Sequence, residues 1–344
     1  MNCLIMPPMR IACLLALLIA VAPAADGDRD LAQVIDRGLA ALARIQDADG
    51  SVDQGVRITS LAGMAFLAGG HTPTRGRYRE ASAKCLDFVL SQQDPVTGYL
   101  GSNSHSGMYE HAFSTLYLAE IYGMAPDRRI RPALKAALDL IYRSQNQEGG
   151  WRYQPSPVDA DISVTICQVM AIRAAYNIGV GGTRSQQAMA RAVDYVRSCA
   201  NPDGSFNYQS GQRSSWGTDG ARGIPRAAAG AMSLIGAGAA NIGEEDPHLG
   251  PALGFLRRHY AEHLNSRSNW YWYGQYYLAQ AMFHSPRRED WQDYWQTAWP
   301  IIADMQSENG LWTGPDTSYG TGFNTAVALI ILQIPEQYLP IYQR

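Results

Sequence analysis

The sequence predicts an all-α protein, an α/α toroid of six helix-hairpin repeats around a central cavity. Two observations carry this expectation: a turn that recurs at a fixed interval, and two kinds of helical run that alternate around it. The turn is read at Gln46-Asp-Ala-Asp-Gly50-Ser51, Gln93 to Gly98-Tyr99, Gln145 to Gly149-Gly150-Trp151, Asn201-Pro-Asp-Gly204-Ser205-Phe206 and Gln306 to Gly310-Leu311-Trp312. Successive turns lie about 50 residues apart, a spacing that marks stacked supersecondary units, none able to bury its apolar face alone. The gap from Gly204 to Gly310 is about twice as long, which places a degenerate turn at LNSRSN, residues 264–269.

Each turn follows an amphipathic run, such as LAQVIDRGLAALARI, ALKAALDLIYRS or AMARAVDYVRS. Each precedes a loop and a run that is apolar nearly all round, such as SLAGMAFLAGG, FSTLYLAEIYG or TAVALIILQI. A helix with one charged face belongs outside, and one apolar on all sides belongs inside. Six pairs then close into a ring of inner helices clad by outer ones. The turn glycines suit a helix C-cap of positive φ, while the turn Gln and aromatic residues tie neighbouring repeats together. The ending LPIYQR is expected to pack across the ring and close the last pair against the first.

The first residues bear on compartment. Arg10 is the only charge before Asp26 and precedes IACLLALLIAVAPA, which ends in the small-residue pattern Ala22-Pro23-Ala24. This is the pattern of a secretory signal peptide over residues 1–24, leaving residues 25–344 as a single exported toroid domain, periplasmic or extracellular. The apolar run is short for a membrane span, and no second run of that length follows. Net charge is −3 with acids and bases interspersed, which argues against a nucleic-acid surface. Cys85, Cys167 and Cys199 lie in apolar helical runs and read as buried small side chains, with one disulfide open to them and no way to choose the pair.

The candidate chemistry begins at GGWRYQPSPVDADISVT, residues 149–165, where Asp159 and Asp161 stand just before an apolar helix. Asp161 is placed either to cap that helix or to act as an acid beside the cavity. His111, in Met108-Tyr109-Glu110-His111, stands at the equivalent part of the preceding inner helix and is expected to face Asp161 as a hydrogen-bond donor or base. Tyr109 accompanies it as a pocket wall. NWYWYGQYY, residues 269–277, brings Trp270, Tyr271 and Tyr273 to the mouth of the fifth inner helix. Trp151, Tyr153, Trp216, Trp312 and Tyr319 occupy comparable loops. Such a rim can stabilise a carbocation, grip an apolar chain or stack on sugar rings, and its hydroxyl and indole N–H groups suit an amphipathic ligand. The polar loop 210–226, with Arg213, Asp219, Arg222 and Arg226, reads as a solvated loop or a lid. No metal or cofactor is expected, since neither zinc-type spacing nor a glycine-rich phosphate loop is present.

QNQEGGW and QSENGLW resemble the QW motifs of squalene-hopene cyclases and related triterpene cyclases. The double-helix repeat is also similar to the β subunits of protein prenyltransferases. MYEHAFSTLYLAEIYG, GGWRYQP with DISVTICQVMAIRAA, and LQIPEQYLPIYQR resemble exported bacterial prenyltransferase and squalene-oxidase repeat proteins, a likeness that covers nearly all of the chain beyond the leader. The resemblance implies the toroid and, from the Asp-x-Asp-Asp motif of the cyclases, a proton-donating role for Asp161 with Asp159 beside it. The last acidic place of that motif is Ile162. The resemblance also implies an apolar isoprenoid-like ligand. Two other readings stay open: a non-catalytic envelope module that binds lipid, glycan or peptide, and a polysaccharide-active toroid enzyme using Asp161 or Glu110 with an arginine.

Overall fold

The computed structural model describes residues 30–102, 104–212, 218–237, 246–266, 268, 270–315 and 319–343. The leader, Arg213 and Trp216 therefore lie outside the described residues. Six outer helices, α1 (Leu31–Arg44), α3 (Arg79–Ser91), α5 (Ile130–Ser144), α7 (Gly182–Cys199), α9 (Leu249–Leu264) and α11 (Arg288–Asp304), alternate with six inner ones. The inner helices are α2 (Val56–Ala68), α4 (Gly107–Met124), α6 (Ile162–Asn177), α8 (Gly220–Gly236), α10 (Tyr271–Phe283) and α12 (Thr321–Leu332). α1 buries only the stripe Val34, Gly38, Leu39, Ala41 and Leu42, as an amphipathic helix must. α12 is buried from Gly322 to Leu332 without a break, and α2 and α10 are nearly as enclosed. The α9–α10 link falls at the degenerate turn.

The inner helices pack in sequence order, α2 on α4, α4 on α6, α6 on α8, α8 on α10 and α10 on α12, and α12 returns to α2. That last contact makes the ring. Four of the five complete turns staple their own repeat to the next outer helix through a glutamine, and the Asn201 turn does not. Gln46 Nε2 donates to the carbonyls of Gly50 and Ala81, Gln93 to those of Gly98 and Ala133, Gln145 to those of Gly149 and Ala188, and Gln306 to those of Gly310 and Val34.

The turn glycines do not cap the helix directly, as the sequence suggested. They sit farther along, as the fourth residue of the loop in four of the five turns, where for example Gly149 N–H donates to the Asn146 carbonyl. Their φ is positive, +101° at Gly149, and a Cβ there would strike the backbone carbonyl of Arg191 on α7. Glycine is thus required twice over, by conformation and by close approach of the next helix.

In four of the five turns the residue two places beyond the turn glycine has its N–H held by the next inner helix. Val52 donates to Thr59 Oγ1 at 2.9 Å, Trp151 to Thr165 Oγ1 at 3.1 Å and Trp312 to Thr325 Oγ1 at 3.0 Å. In the second repeat the same bond runs from Leu100 N–H to His111 Nδ1 at 3.0 Å. Satisfying this buried amide is what these positions have in common.

The C-terminal segment departs from expectation. Pro340–Tyr342 forms a short 3-10 turn that packs on α4 and α6, and Tyr342 lies against Phe283 of α10. The tail covers the C-terminal ends of inner helices, while α12 and Gln306 join the last pair to the first. Cys85, Cys167 and Cys199 are buried free thiols.

Candidate functional site

The N-termini of the inner helices share one face of the ring, and Asp161 stands there as the N-cap of α6. Its extended backbone, φ −140° and ψ 160°, turns Oδ1 to accept from Ser163 N–H at 2.8 Å and Val164 N–H at 2.9 Å. Its own N–H donates to the Trp151 carbonyl at 3.0 Å, which ties the cap to the turn. The side chain is wholly buried, and Oδ2 lies 3.9 Å from Arg152 Nε. Burial pushes the carboxyl up to about 6, against the opposing pull of the Val164 N–H, Arg152, the Ser163 N–H and the Tyr208 hydroxyl. Asp161 is therefore a cap whose carboxyl holds its proton more tightly than usual, because burying a capping carboxylate raises it.

Arg152 joins the elements around this carboxyl. It lies 3.3 Å from Asp159 Oδ2, and its guanidinium stands over the rings of Tyr153 at 4.8 Å and Tyr208 at 5.8 Å. The Tyr153 and Tyr208 hydroxyls are 2.5 Å apart. Their main chains lock the rim: Met108 N–H donates to the Tyr153 carbonyl and Ile162 N–H to the Tyr208 carbonyl, both at 3.0 Å.

The interior beneath is aromatic. Tyr273 Oη donates to the Ser163 carbonyl at 3.3 Å, and Tyr277 Oη lies 3.0 Å from Cys167 Sγ. Both contacts run from α10 to α6, the two inner helices that flank α8. Phe113 of α4 meets Tyr276 of α10 from the opposite side of the ring, with centroids 5.8 Å apart. Tyr109 and Tyr273 keep some accessible surface. The Tyr109 hydroxyl is raised well above its ordinary range by burial, then by the nearby Asp161, Tyr273, Tyr208 and Cys167. Arg57, at the start of α2, stacks over Tyr319 at 5.2 Å and Phe323 at 5.7 Å, while burial pushes the Cys167 thiol up to about 12 against smaller pulls from Tyr277 and Arg57.

Several expected site residues take other roles. His111 does not face Asp161: Nδ1 accepts from Leu100 N–H, and Nε2 lies 3.0 Å from the Ala137 carbonyl, so both nitrogens are engaged in joining α4 to its loop and to α5. Glu110 braces the preceding loop, accepting from Ser102 N–H and the hydroxyls of Ser102 and Ser104. Trp151 and Trp312 are fully buried and donate through Nε1 to the carbonyls of Ile141 and Ile302 at the ends of their own outer helices. Tyr271 is buried against His263 of α9, away from any accessible surface. Trp270 is 44% exposed, beside Tyr319 at 6.0 Å. Asp159 is exposed and paired with Arg152. Within the stretch expected to be a polar loop, Gly220 to Arg226 form the first turns of α8, and Arg226 is buried.

Tyr109, Tyr153, Tyr273 and Asp161 are gathered at the mouth, together with Arg57, Arg152 and Tyr208, which the sequence reading passed over. Tyr208 was recoverable: it stands four residues after Gly204, as Tyr153 does after Gly149. Arg57 carries no comparable signal, because its position over α12 depends on ring closure.

Residues 59–219 match the family model described as the prenyltransferase alpha-alpha toroid domain. No curated protein matches the chain. Among solved structures, the type II terpene cyclase MstE from Scytonema aligns with a TM-score of 0.60 at 14% identity, covering 90% of this chain and 98% of that one. The GH76A α-1,6-mannanase from Salegentibacter sp. HEL1_6 aligns with a TM-score of 0.67 at 9% identity, covering 90% and 100%. Cellobiose 2-epimerase from Spirochaeta thermophila aligns with a TM-score of 0.61 at 14% identity, covering 88% and 96%. Such low identities speak for a shared fold, one that hosts lipid and sugar chemistry alike. With six inner and six outer helices in a ring among the described residues, and residues 59–219 matching a toroid-domain model, the chain has the α/α toroid fold that the terpene cyclase, mannanase and epimerase structures share.

Proposed function

We propose that this is an exported toroid that admits an apolar, isoprenoid-like ligand through the face bearing Arg57, Tyr109 and Tyr273, and that Asp161 protonates it. The observation that carries this reading is Asp161 itself, a fully buried carboxyl raised to about 6 beside an aromatic interior. An acid that protonates a carbon–carbon double bond must hold its proton in a dry site and leave a stabilised conjugate base. In the proposed step the proton on Oδ2 passes to one alkene carbon, the π pair forms the new C–H bond, and the neighbouring carbon becomes cationic. The carboxylate left behind is held by the Ser163 and Val164 N–H groups and by Arg152. The faces of Tyr109, Tyr273, Tyr276 and Tyr277 stabilise the cation, which is discharged when an adjacent carbon loses a proton to water and that C–H pair forms the new double bond, and Asp161 regains its proton from water. Arg152 and Tyr208 serve where the resemblance would put a further acid at Ile162. Export rests on the leader pattern of residues 1–24.

The carbohydrate reading is weaker at this site. Glycoside hydrolysis needs two carboxyls flanking one bond, whereas Asp159 is exposed and held by Arg152. The test begins with mass spectrometry of small molecules co-purifying with the exported protein, followed by incubation with linear isoprenoids in deuterated water. Deuterium fixed at a single product carbon by wild type, and lost in Asp161→Asn with ligand still bound, is the expected result. Unchanged labelling in Asp161→Asn removes the acid. Failure of wild type to bind any linear isoprenoid removes the ligand class.

A further inference from the structure

The opposite end of α4 carries a second candidate site. Tyr122, in the last turn of α4, lies about 20 Å along the helix from Tyr109, at 1.5 Å rise per residue. There the α4–α5 corner forms a solvent-open cavity of about 510 Å³ lined by Tyr122, Pro126, Asp127, Arg128, Arg131, Pro132 and Lys135, five of them exposed. Its walls are one aromatic ring and two rigid prolines, and three of its seven residues are cationic.

The charge is uncompensated. Asp127 is committed to Arg129, accepting from its Nε and Nη2 through Oδ2 and from its N–H and Nε through Oδ1. Arg129 reaches outward to Asp87 as well, at 2.8 Å. Arg128 acts on Asp127 only at longer range. Among the described residues no carboxylate lies within ion-pair distance of Arg128, Arg131 or Lys135. α5 begins here with no side-chain cap and no acid in its first turn, so its dipole adds to the positive potential. Like charges gathered at the positive end of a helix cost stability unless an anion offsets them.

We propose that this cavity binds a phosphate-bearing group attached to an apolar or aromatic body. Guanidinium forks at Arg128 and Arg131 match phosphate oxygens two at a time, Lys135 supplies a third charge, and Tyr122 with the two prolines holds the attached body. Such a group is offered either by a free phosphate ester or by a lipid headgroup. The site is separate from the Asp161 mouth and does not depend on the reading given to it.

The test titrates the full chain with phenyl phosphate, inorganic phosphate and phenol, followed by melting temperature and calorimetry, and adds flotation with phosphatidylcholine vesicles with and without phosphatidic acid. Phenyl phosphate is expected to bind at least about tenfold more tightly than phenol, a difference of about 1.4 kcal/mol. In the Arg128→Gln/Arg131→Gln variant that preference is lost, while the phosphate-free melting temperature rises by about 1 °C through relief of repulsion. Vesicle binding that needs phosphatidic acid and the two arginines, without a response to phenyl phosphate, assigns the group to a lipid. The proposal is overturned if wild type responds to none of the phosphate-bearing probes, or if the double variant responds as wild type does.

Discussion

Gln306 Nε2 donates to the carbonyl of Val34 at 3.0 Å across 272 residues of chain, so the last turn of the ring is bonded to the first outer helix by the device that joins three of the other repeats. The bond closes the circle with no specialised residue. Replacing Gln306 with Ala removes the bonds to the Val34 and Gly310 carbonyls and is expected to cost about 1–3 kcal/mol. Urea denaturation checks this as a lower midpoint with an unchanged slope.

Gly149→Ala is expected to be the more damaging change. It sets an L side chain at φ +101° and drives its Cβ into the Arg191 carbonyl, so the α5–α7 packing must shift. The left-handed conformation alone costs about 1 kcal/mol. A loss well beyond that, or insoluble expression, is the expected outcome. A stability within about 0.5 kcal/mol of wild type would contradict the described turn.

His111 holds a loop in place, so His111→Ala is expected to lose about 1–3 kcal/mol by leaving the buried Leu100 N–H unmatched and removing the link to the Ala137 carbonyl. His111→Thr should lose less, since Thr59, Thr165 and Thr325 make the corresponding bond elsewhere. Burial lowers this imidazole from 6.5 to about 4, so the unfolded chain binds the proton more tightly than the folded one. Stability is therefore whole above pH 6.5 and falls as pH drops towards 4. His263, lowered to about 4 chiefly by burial, adds in the same direction. Urea midpoints between pH 7.5 and 4.5 measure the slope, which His111→Thr should reduce.

Asp161 titrates in the opposite sense. Its folded carboxyl is raised from 3.8 to about 6, so its contribution is full below pH 3.8 and is lost as pH rises through about 6. Asn caps a helix about as well as Asp. Asp161→Asn is then expected to equal or exceed wild-type stability at pH 7.5 while abolishing acid-dependent turnover. A melting temperature lower at pH 7.5 than wild type would show that the charged form is needed structurally.

Glu120 is a second buried carboxyl, at the C-terminal end of α4, where Oε2 accepts from Ile341 N–H at 3.1 Å. Burial raises it from 4.5 to about 8, so its stabilisation declines as pH climbs from 4.5 through 8. Glu120→Gln keeps an acceptor for Ile341 and removes the charge. The variant should hold its melting temperature from pH 6 to pH 9 better than wild type does, and hydrogen exchange at Ile341 should report the same difference.

The repeat count, the inner and outer identity of each helix and the stapling glutamines were legible because they rest on local patterns: a 3.6-residue apolar period and a turn of fixed composition. Asp161 at the start of α6 was legible for the same reason. His111 was misread because a histidine beside an acidic neighbour looks chemical, and its equivalence to Thr59, Thr165 and Thr325 appears only when the repeats are aligned on the bond to the loop amide. Trp151 and Trp312 were misread because an indole in a loop gives no sign of which way it turns.

By itself the sequence determined that helices pair, that six pairs form a ring, and that an aspartate begins an inner helix. The tertiary structure alone decided which side chains meet across that ring. Cys167 and Tyr277 lie 110 residues apart and touch because α6 and α10 both pack on α8. Tyr208 and Arg152 flank Asp161 because adjacent loops interlock, and Arg57 overlies Tyr319 because α12 returns to α2. Periodicity sets which face of a helix is buried, but the rotation and height of each helix against its neighbours come from packing around a closed circle, and the chemistry at the mouth depends on those two quantities.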